Sequence, residues 1–175
     1  MKVYDQEEKR LDAARTYLKL AELWRERIAF AQEGEERARF LDEAQRSIEQ
    51  ALPIFRELAP TSYQETQHVR STIEREIHLK DLEEAIVSCK ALLKVYRQKD
   101  RPLDWARTHF KLAHLYRDRS TSAQQAEERA SLLGKALQSL EHALPVFREH
   151  NAPASYYEAQ GMHADVTAAR EEALR

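Results

Sequence analysis

Glu65 and His68 stand three residues apart, a spacing that puts a carboxylate and an imidazole on one helix face, where they can share a metal ion. A dinuclear site of that type needs two such pairs plus two further glutamates on facing helices, and no other Glu here precedes a His by three. His109 and His114 are five apart and point to different sides of a helix. Cys89 occupies the bulky apolar position of a helical stripe, where a thiol serves as a packed core group. Gly34, Gly134 and Gly161 are isolated, so no glycine-rich loop is available to cradle a phosphate. Ser, His and Asp occur in no motif that implies a triad. These residues predict no catalytic centre, no cofactor and no metal; the chain is expected not to be an enzyme.

The elements that would position any site are helices. Of the 175 residues, 42% are hydrophobic and 33% charged, the balance of helices that each bury one stripe and expose the rest. Three glycines and five prolines are too few for a sandwich or barrel full of tight turns. The formal net charge of −2 gives no bulk basic field for nucleic acid or anionic lipid. With one cysteine no intrachain disulfide can form, which fits a reducing compartment. The N-terminus has no apolar run of signal-peptide length, and no stretch approaches the ~20 apolar residues of a membrane span. A cytoplasmic protein without membrane contact is expected.

An internal repeat organises the chain. Leu11 to Glu57 aligns without gaps on Leu103 to Glu149, with about 27 of the 47 pairs identical. Lys19-Leu20-Ala21-Glu22-Leu23-Trp24-Arg25 matches Lys111-Leu112-Ala113-His114-Leu115-Tyr116-Arg117, and Ala51-Leu52-Pro53-Ile54-Phe55 matches Ala143-Leu144-Pro145-Val146-Phe147. A weaker copy of the second half lies between them, from Glu84 to Arg97. Apolar residues recur three and four apart, as in Leu11, Ala14, Leu18 and Ala21, then Leu41, Ala44, Ile48, Ala51 and Phe55. A second stripe of Leu20, Leu23 and Trp24 predicts a first helix sandwiched between neighbours. Seven helices are predicted, near 8–33, 36–58, 62–79, 81–98, 103–119, 123–149 and 155–173. They form one domain over 1–175, with units near 8–58, 62–98 and 103–149 and a polar C-terminal helix, 155–173, as a cap. Gly34 is expected to end the first helix in a left-handed conformation, and Ser122-Ala123-Gln124-Gln125 to open the sixth as a capping box. Pro60, Pro102 and Pro153 disfavour helix just before them. Pro53 and Pro145 sit inside helical patterns and should kink them. Tyr63, Trp105, Tyr156 and Tyr157 recur at one point of the repeat and read as hairpin-to-hairpin packing.

Leu112-Ala113-His114-Leu115-Tyr116 resembles the Leu-Gly-x-x-Tyr signature of tetratricopeptide repeats with Ala in place of Gly, and Ala136, Leu140 and Ala143 resemble its small, bulky, small second-helix pattern. The first unit offers Leu20-Ala21-Glu22-Leu23-Trp24, then Ala44, Ile48 and Ala51. The middle unit is degenerate, with Thr72 and Glu76 at the Leu and Tyr positions. Trp105-Ala106-Arg107-Thr108 is similar to the long-unit repeats of kinesin light chains and of bacterial arrays fused to caspase-like (CHAT) proteases or signalling ATPases. The resemblance covers nearly the whole chain. It departs from the family in the gap from Trp24 to Ala44 and from Tyr116 to Ala136, longer by about eleven residues, or about three helical turns. It implies an all-α, right-handed superhelical stack of antiparallel hairpins, an α-solenoid that binds a protein or peptide.

In that family the first helix of each hairpin lines the concave face. By motif position the lining is Arg15, Lys19, Glu22 and Arg25, then Gln67, Arg70 and Glu74, then Arg107, Lys111, His114 and Arg117. Basic residues dominate, which suits an acidic peptide or a C-terminal carboxylate. Arg on a solvated helix face also serves solubility alone, with Glu22 and Glu74 one turn away as neighbours, and both readings stand at this point. Nucleic acid is disfavoured because the aromatics belong to the packing seam and give no stacking platform. The leading expectation is a protein-interaction module, adaptor or scaffold; the alternative is a regulatory or sensor segment of a larger protein, such as a CHAT-type protease or signalling ATPase. Val3-Tyr4 aligns on Val95-Tyr96, so the chain starts where a preceding hairpin would end. It is expected to be a piece of a longer array or to self-associate through an uncapped first helix.

Overall fold

The structure, a computed structural model, describes the backbone of residues 2–28, 30–31 and 34–175 and the side chains from Asp5 onward within those ranges. The described residues form six helices and no strand: α1 (Lys2–Ile28), α2 (Gly34–Leu58), α3 (Pro60–Val95), α4 (Pro102–Thr121), α5 (Ala126–Glu149) and α6 (Pro153–Ala173). They divide into two compact units, Met1–Lys80 and Asp81–Arg175. The proposed end of the first helix at residues 32 and 33, and the side chains of Val3 and Tyr4 at its start, lie outside the described residues.

Within the first unit α1 and α2 pack antiparallel: Arg10 meets Glu57 at one end and Trp24 stacks on Phe40 at the other, ring centroids 5.6 Å apart. In the second unit α4 and α5 pack the same way, with Phe110 against Phe147 and Arg119 against Glu128. The seam of each hairpin is made of alanines. Ala14, Ala21, Ala44 and Ala51 are fully buried, and so are their repeat counterparts Ala106, Ala113, Ala136 and Ala143. A methyl side chain lets two helix backbones approach closely, and larger residues on either side fill the flanks. Phe55 and Phe147, at matching positions, are each 1% exposed, and burying such a ring is worth about 2–3 kcal/mol. The buried hydroxyls of Ser47, Thr66, Thr108 and Ser139 each donate to the carbonyl four residues back, so none goes unsatisfied.

Three expectations need correction. The helices predicted at 62–79 and 81–98 are one continuous helix, α3. The weak middle copy implied a break near Lys80-Asp81, but Ile77-His78-Leu79-Lys80-Asp81-Leu82-Glu83-Glu84 contains neither Gly nor Pro and no capping residue wins against helix propagation. Gly34 opens α2 and does not close α1, and no described glycine has positive φ. The left-handed position falls instead to Asn151 (φ 51°), just past the end of α5, where an Asn tolerates what Gly usually supplies. Ser122 caps the C-terminus of α4, and α5 starts after Gln125, which makes no side-chain cap. The prolines behave as positioned: Pro60, Pro102 and Pro153 are first residues of α3, α4 and α6, where a missing N–H costs nothing. Pro53 and Pro145 lie inside α2 and α5, which continue past them.

Candidate functional site

The residues singled out in the sequence lie on α1, α3 and α4; Arg15, Lys19, Gln67, Arg70, Glu74, Arg107 and Lys111 are exposed, and Glu22, Arg25, His114 and Arg117 are half-buried. Arg15, Lys19, Glu22, Arg25, Gln67, Arg70 and Glu74 belong to the first unit; Arg107, Lys111, His114 and Arg117 belong to the second. Repetition explains the match between α1 and α4: Arg15, Lys19 and Arg25 align with Arg107, Lys111 and Arg117. The side chains of Arg15, Lys19 and Arg107 are each about two-thirds exposed.

Most of these cations already touch a carboxylate on their own helix. Arg15 pairs with Asp12 at 3.0 Å, Lys19 with Glu22 at 3.3 Å and Arg70 with Glu74 at 2.8 Å. Arg107 lies 3.7 Å from Asp104, and Arg117 donates twice to Asp118 Oδ1, at 3.2 and 3.0 Å. Exposed pairs of this kind are worth about 0.3–0.5 kcal/mol, so an incoming carboxylate exchanges with them at little cost. Gln67 donates to the Tyr63 hydroxyl at 2.6 Å. The His114 ring packs edge-on against Phe110, 4.7 Å between centroids. Arg25 acts on Glu76, whose carboxyl is pushed up by burial against the opposing pull of Arg25 and Arg37. Glu76 Oε2 is buried without a hydrogen bond.

A cluster that no local spacing announced sits between α4 and α5. His109 and His142 bring their rings to 4.8 Å, and Trp105 lies edge-on to both, at 4.3 and 5.8 Å. The two histidines open on a cleft of about 240 Å³ shared with Leu112, Tyr116, Lys135, Gln138 and Ser139. Burial, helped by the neighbouring His142, lowers the His109 pKa to about 4, so the ring is neutral at physiological pH. His109 Nδ1 is buried and has no hydrogen-bond partner. His109 aligns with Tyr17 and His142 with Gln50, so the pair exists only in the second copy. The signal available beforehand was that both positions break the repeat.

Cys89 is 2% exposed, and burial pushes its thiol up despite the nearby Lys111 ammonium. Glu65 and His68 are both exposed on α3, and among the described residues no group of three His, Cys, Asp or Glu gathers to hold a metal. Of the recurring aromatics, Tyr63, Trp105 and Tyr156 pack against the cores of their units, whereas Tyr157 is 69% exposed and touches Tyr156 edge-on. No described helix is long and apolar enough to cross a membrane. Family models, curated proteins and solved structures were all compared with the chain, and none matches it.

Proposed function

We propose that the chain is a non-enzymatic protein-interaction module built from helical hairpins of the tetratricopeptide type, binding an acidic peptide segment or a C-terminal carboxylate through the first helices of its hairpins. One observation carries this reading. The same three cations stand at the same three positions of α1 and α4, two helices whose alanine faces are buried in the seams of their hairpins. Repeated Arg and Lys side chains held at fixed helical intervals match the carboxylates of an extended segment, and Arg adds bidentate geometry. Their present partners, Asp12, Glu22, Asp104 and Asp118, are exposed or half-buried carboxylates in pairs open to solvent, which release them at little cost.

The test is an array of acidic peptides with free C-terminal carboxylates, titrated against the chain and against a variant carrying Arg107→Ala and Arg117→Ala. The double variant should keep its helical circular dichroism and lose at least tenfold in affinity for any peptide bound. Equal affinity in the two proteins refutes the reading.

A further inference from the structure

The two copies of the repeat differ in what covers their first helix. On α4, Leu112 is 5% exposed and Tyr116 7%. Both share a buried cluster with Ile86 and Cys89, from the part of α3 that belongs to the same unit. That segment makes polar contacts with α4 as well: Glu83 faces Arg119 at 3.8 Å, and the Lys90 ammonium sits over the Tyr116 ring at 5.9 Å. Its apolar stripe is Leu82, Ile86, Cys89 and Leu93, spaced four, three and four, the pattern of a helix that buries one side.

The equivalent face of α1 has the same chemistry but, against the expectation of a helix sandwiched between neighbours, no such cover among the described residues. Leu20, the counterpart of Leu112, is 38% exposed; Leu23 is 46% and Phe30 83% exposed. With Trp24, Glu26 and Arg27 they line a groove of about 440 Å³. Arg27 is the counterpart of Arg119, and its guanidinium lies 5.8 Å from the ring centroids of both Trp24 and Phe40 at the groove edge. A contiguous apolar patch rimmed by a positioned charge marks a protein-binding surface.

We propose that this face of α1 is the docking site for an amphipathic helix supplied by a partner protein, with apolar residues at the spacing of Leu82, Ile86, Cys89 and Leu93 and a carboxylate where Glu83 stands. The protein's own second copy is the template: Leu20, Trp24 and Arg27 receive the partner helix as Leu112, Tyr116 and Arg119 receive residues 82–93. The partner's carboxylate meets Arg27, and its apolar stripe closes over Leu20 and Leu23. This site is separate from the cations of the proposed acidic-peptide surface, so either can fail without the other.

The probe is a synthetic peptide of residues 80–95 carrying Cys89→Ala, labelled and titrated into the intact chain by fluorescence anisotropy. Saturable binding is expected, weakened at least tenfold by Leu20→Asp with Leu23→Asp, and also by Phe30→Asp, a substitution at a side chain too exposed to matter for folding. Arg27→Glu should weaken it three- to tenfold, and the peptide with Glu83→Arg should recover most of that loss. Absence of binding at millimolar peptide overturns the proposal, as does binding that both aspartate variants leave unchanged, which would mean exchange at α4. A chain that dimerises at micromolar concentration and is made monomeric by Leu23→Asp also overturns it, because the occupant would then be a second copy.

Discussion

Arg10 and Glu57 hold each other through two parallel hydrogen bonds, Nη1 to Oε1 at 3.2 Å and Nη2 to Oε2 at 2.6 Å, tying the start of α1 to the end of α2. The position aligned with Arg10 is Pro102, so the second hairpin closes without this clamp. Arg10 holds the Glu57 carboxyl below its ordinary value of 4.5, by the hydrogen bonds first and by charge second. A carboxyl depressed in the folded state contributes stability above its unfolded pKa and loses it as pH falls through the folded value. Arg10→Ala should therefore lower the melting temperature slightly at pH 7 and low salt. The difference from the parent should fade as pH falls through the folded-state value of Glu57, and also in about 1 M salt, where the screening length is ~3 Å. Calorimetry across pH and salt checks it.

Leu20 and Leu112 give a matched pair for measuring burial. Leu112→Ala empties a site 5% exposed and should cost about 2–4 kcal/mol. Leu20→Ala removes a side chain already 38% exposed and should cost below about 1 kcal/mol. Urea unfolding of the two variants beside the parent reads both; equal losses would show that the first-copy leucine is buried after all.

Glu76 sits in a place that disfavours its charge. Burial raises its pKa from 4.5, outweighing Arg25 and Arg37. A carboxyl raised in the folded state stabilises most below its unfolded pKa, and that contribution is lost as pH rises. Glu76→Gln keeps the shape and removes the charge. It should stabilise the protein modestly at pH 7, as suits a half-buried group, and less at pH 4. Denaturation midpoints at the two pH values decide.

His109 imposes the opposite slope. Its pKa falls from 6.5 to about 4 on folding, so the unfolded chain takes up a proton that the folded one refuses. Stability associated with this ring is whole above pH 6.5 and is lost as pH drops toward 4, by about 1–2 kcal/mol after allowing for solvent in the open cleft. His109→Tyr, the choice of the first copy, should remove that part of the acid sensitivity. In the parent, the His109 ring proton should titrate near pH 4 by NMR; in His142→Gln it should titrate higher, because a neighbouring positive charge has gone.

What could be read from the sequence was whatever repeats. The alanine seam, the buried Phe55 and Phe147 and the placement of cations on α1 and α4 all follow from positions that recur with helical period. Reading by template also misled. The break expected inside α3 came from aligning a weak copy, when the residues there are helix formers throughout. Ser122 fits a capping box in sequence, yet backbone geometry makes it the end of α4. Ion pairs within one turn, such as Arg70 with Glu74, were legible from spacing. The His109–His142 contact was not, because it joins residues on two helices at positions where the copies disagree. The stripe of Leu20, Leu23 and Trp24 predicted a first helix sandwiched between neighbours, yet Leu20 and Leu23 are 38% and 46% exposed; the same pattern is covered on α4 and open on α1, a difference that periodicity does not carry.

The near-identity of the two hairpins poses a recognition problem while the chain is still folding. An emerging α1 carries the same alanine register as α4, so α2 and α5 each meet two candidate mates of similar fit, the situation that favours swapped and misassembled repeats. The residues that discriminate are those where the copies part. Trp24 stacks on Phe40, whereas the second copy has Tyr116 and Leu132 at those positions, so a swapped pair sets a ring against Leu132 and loses the stack. Such contacts act as a shibboleth between otherwise interchangeable helices, which makes sequence divergence between the copies a guard against mispairing.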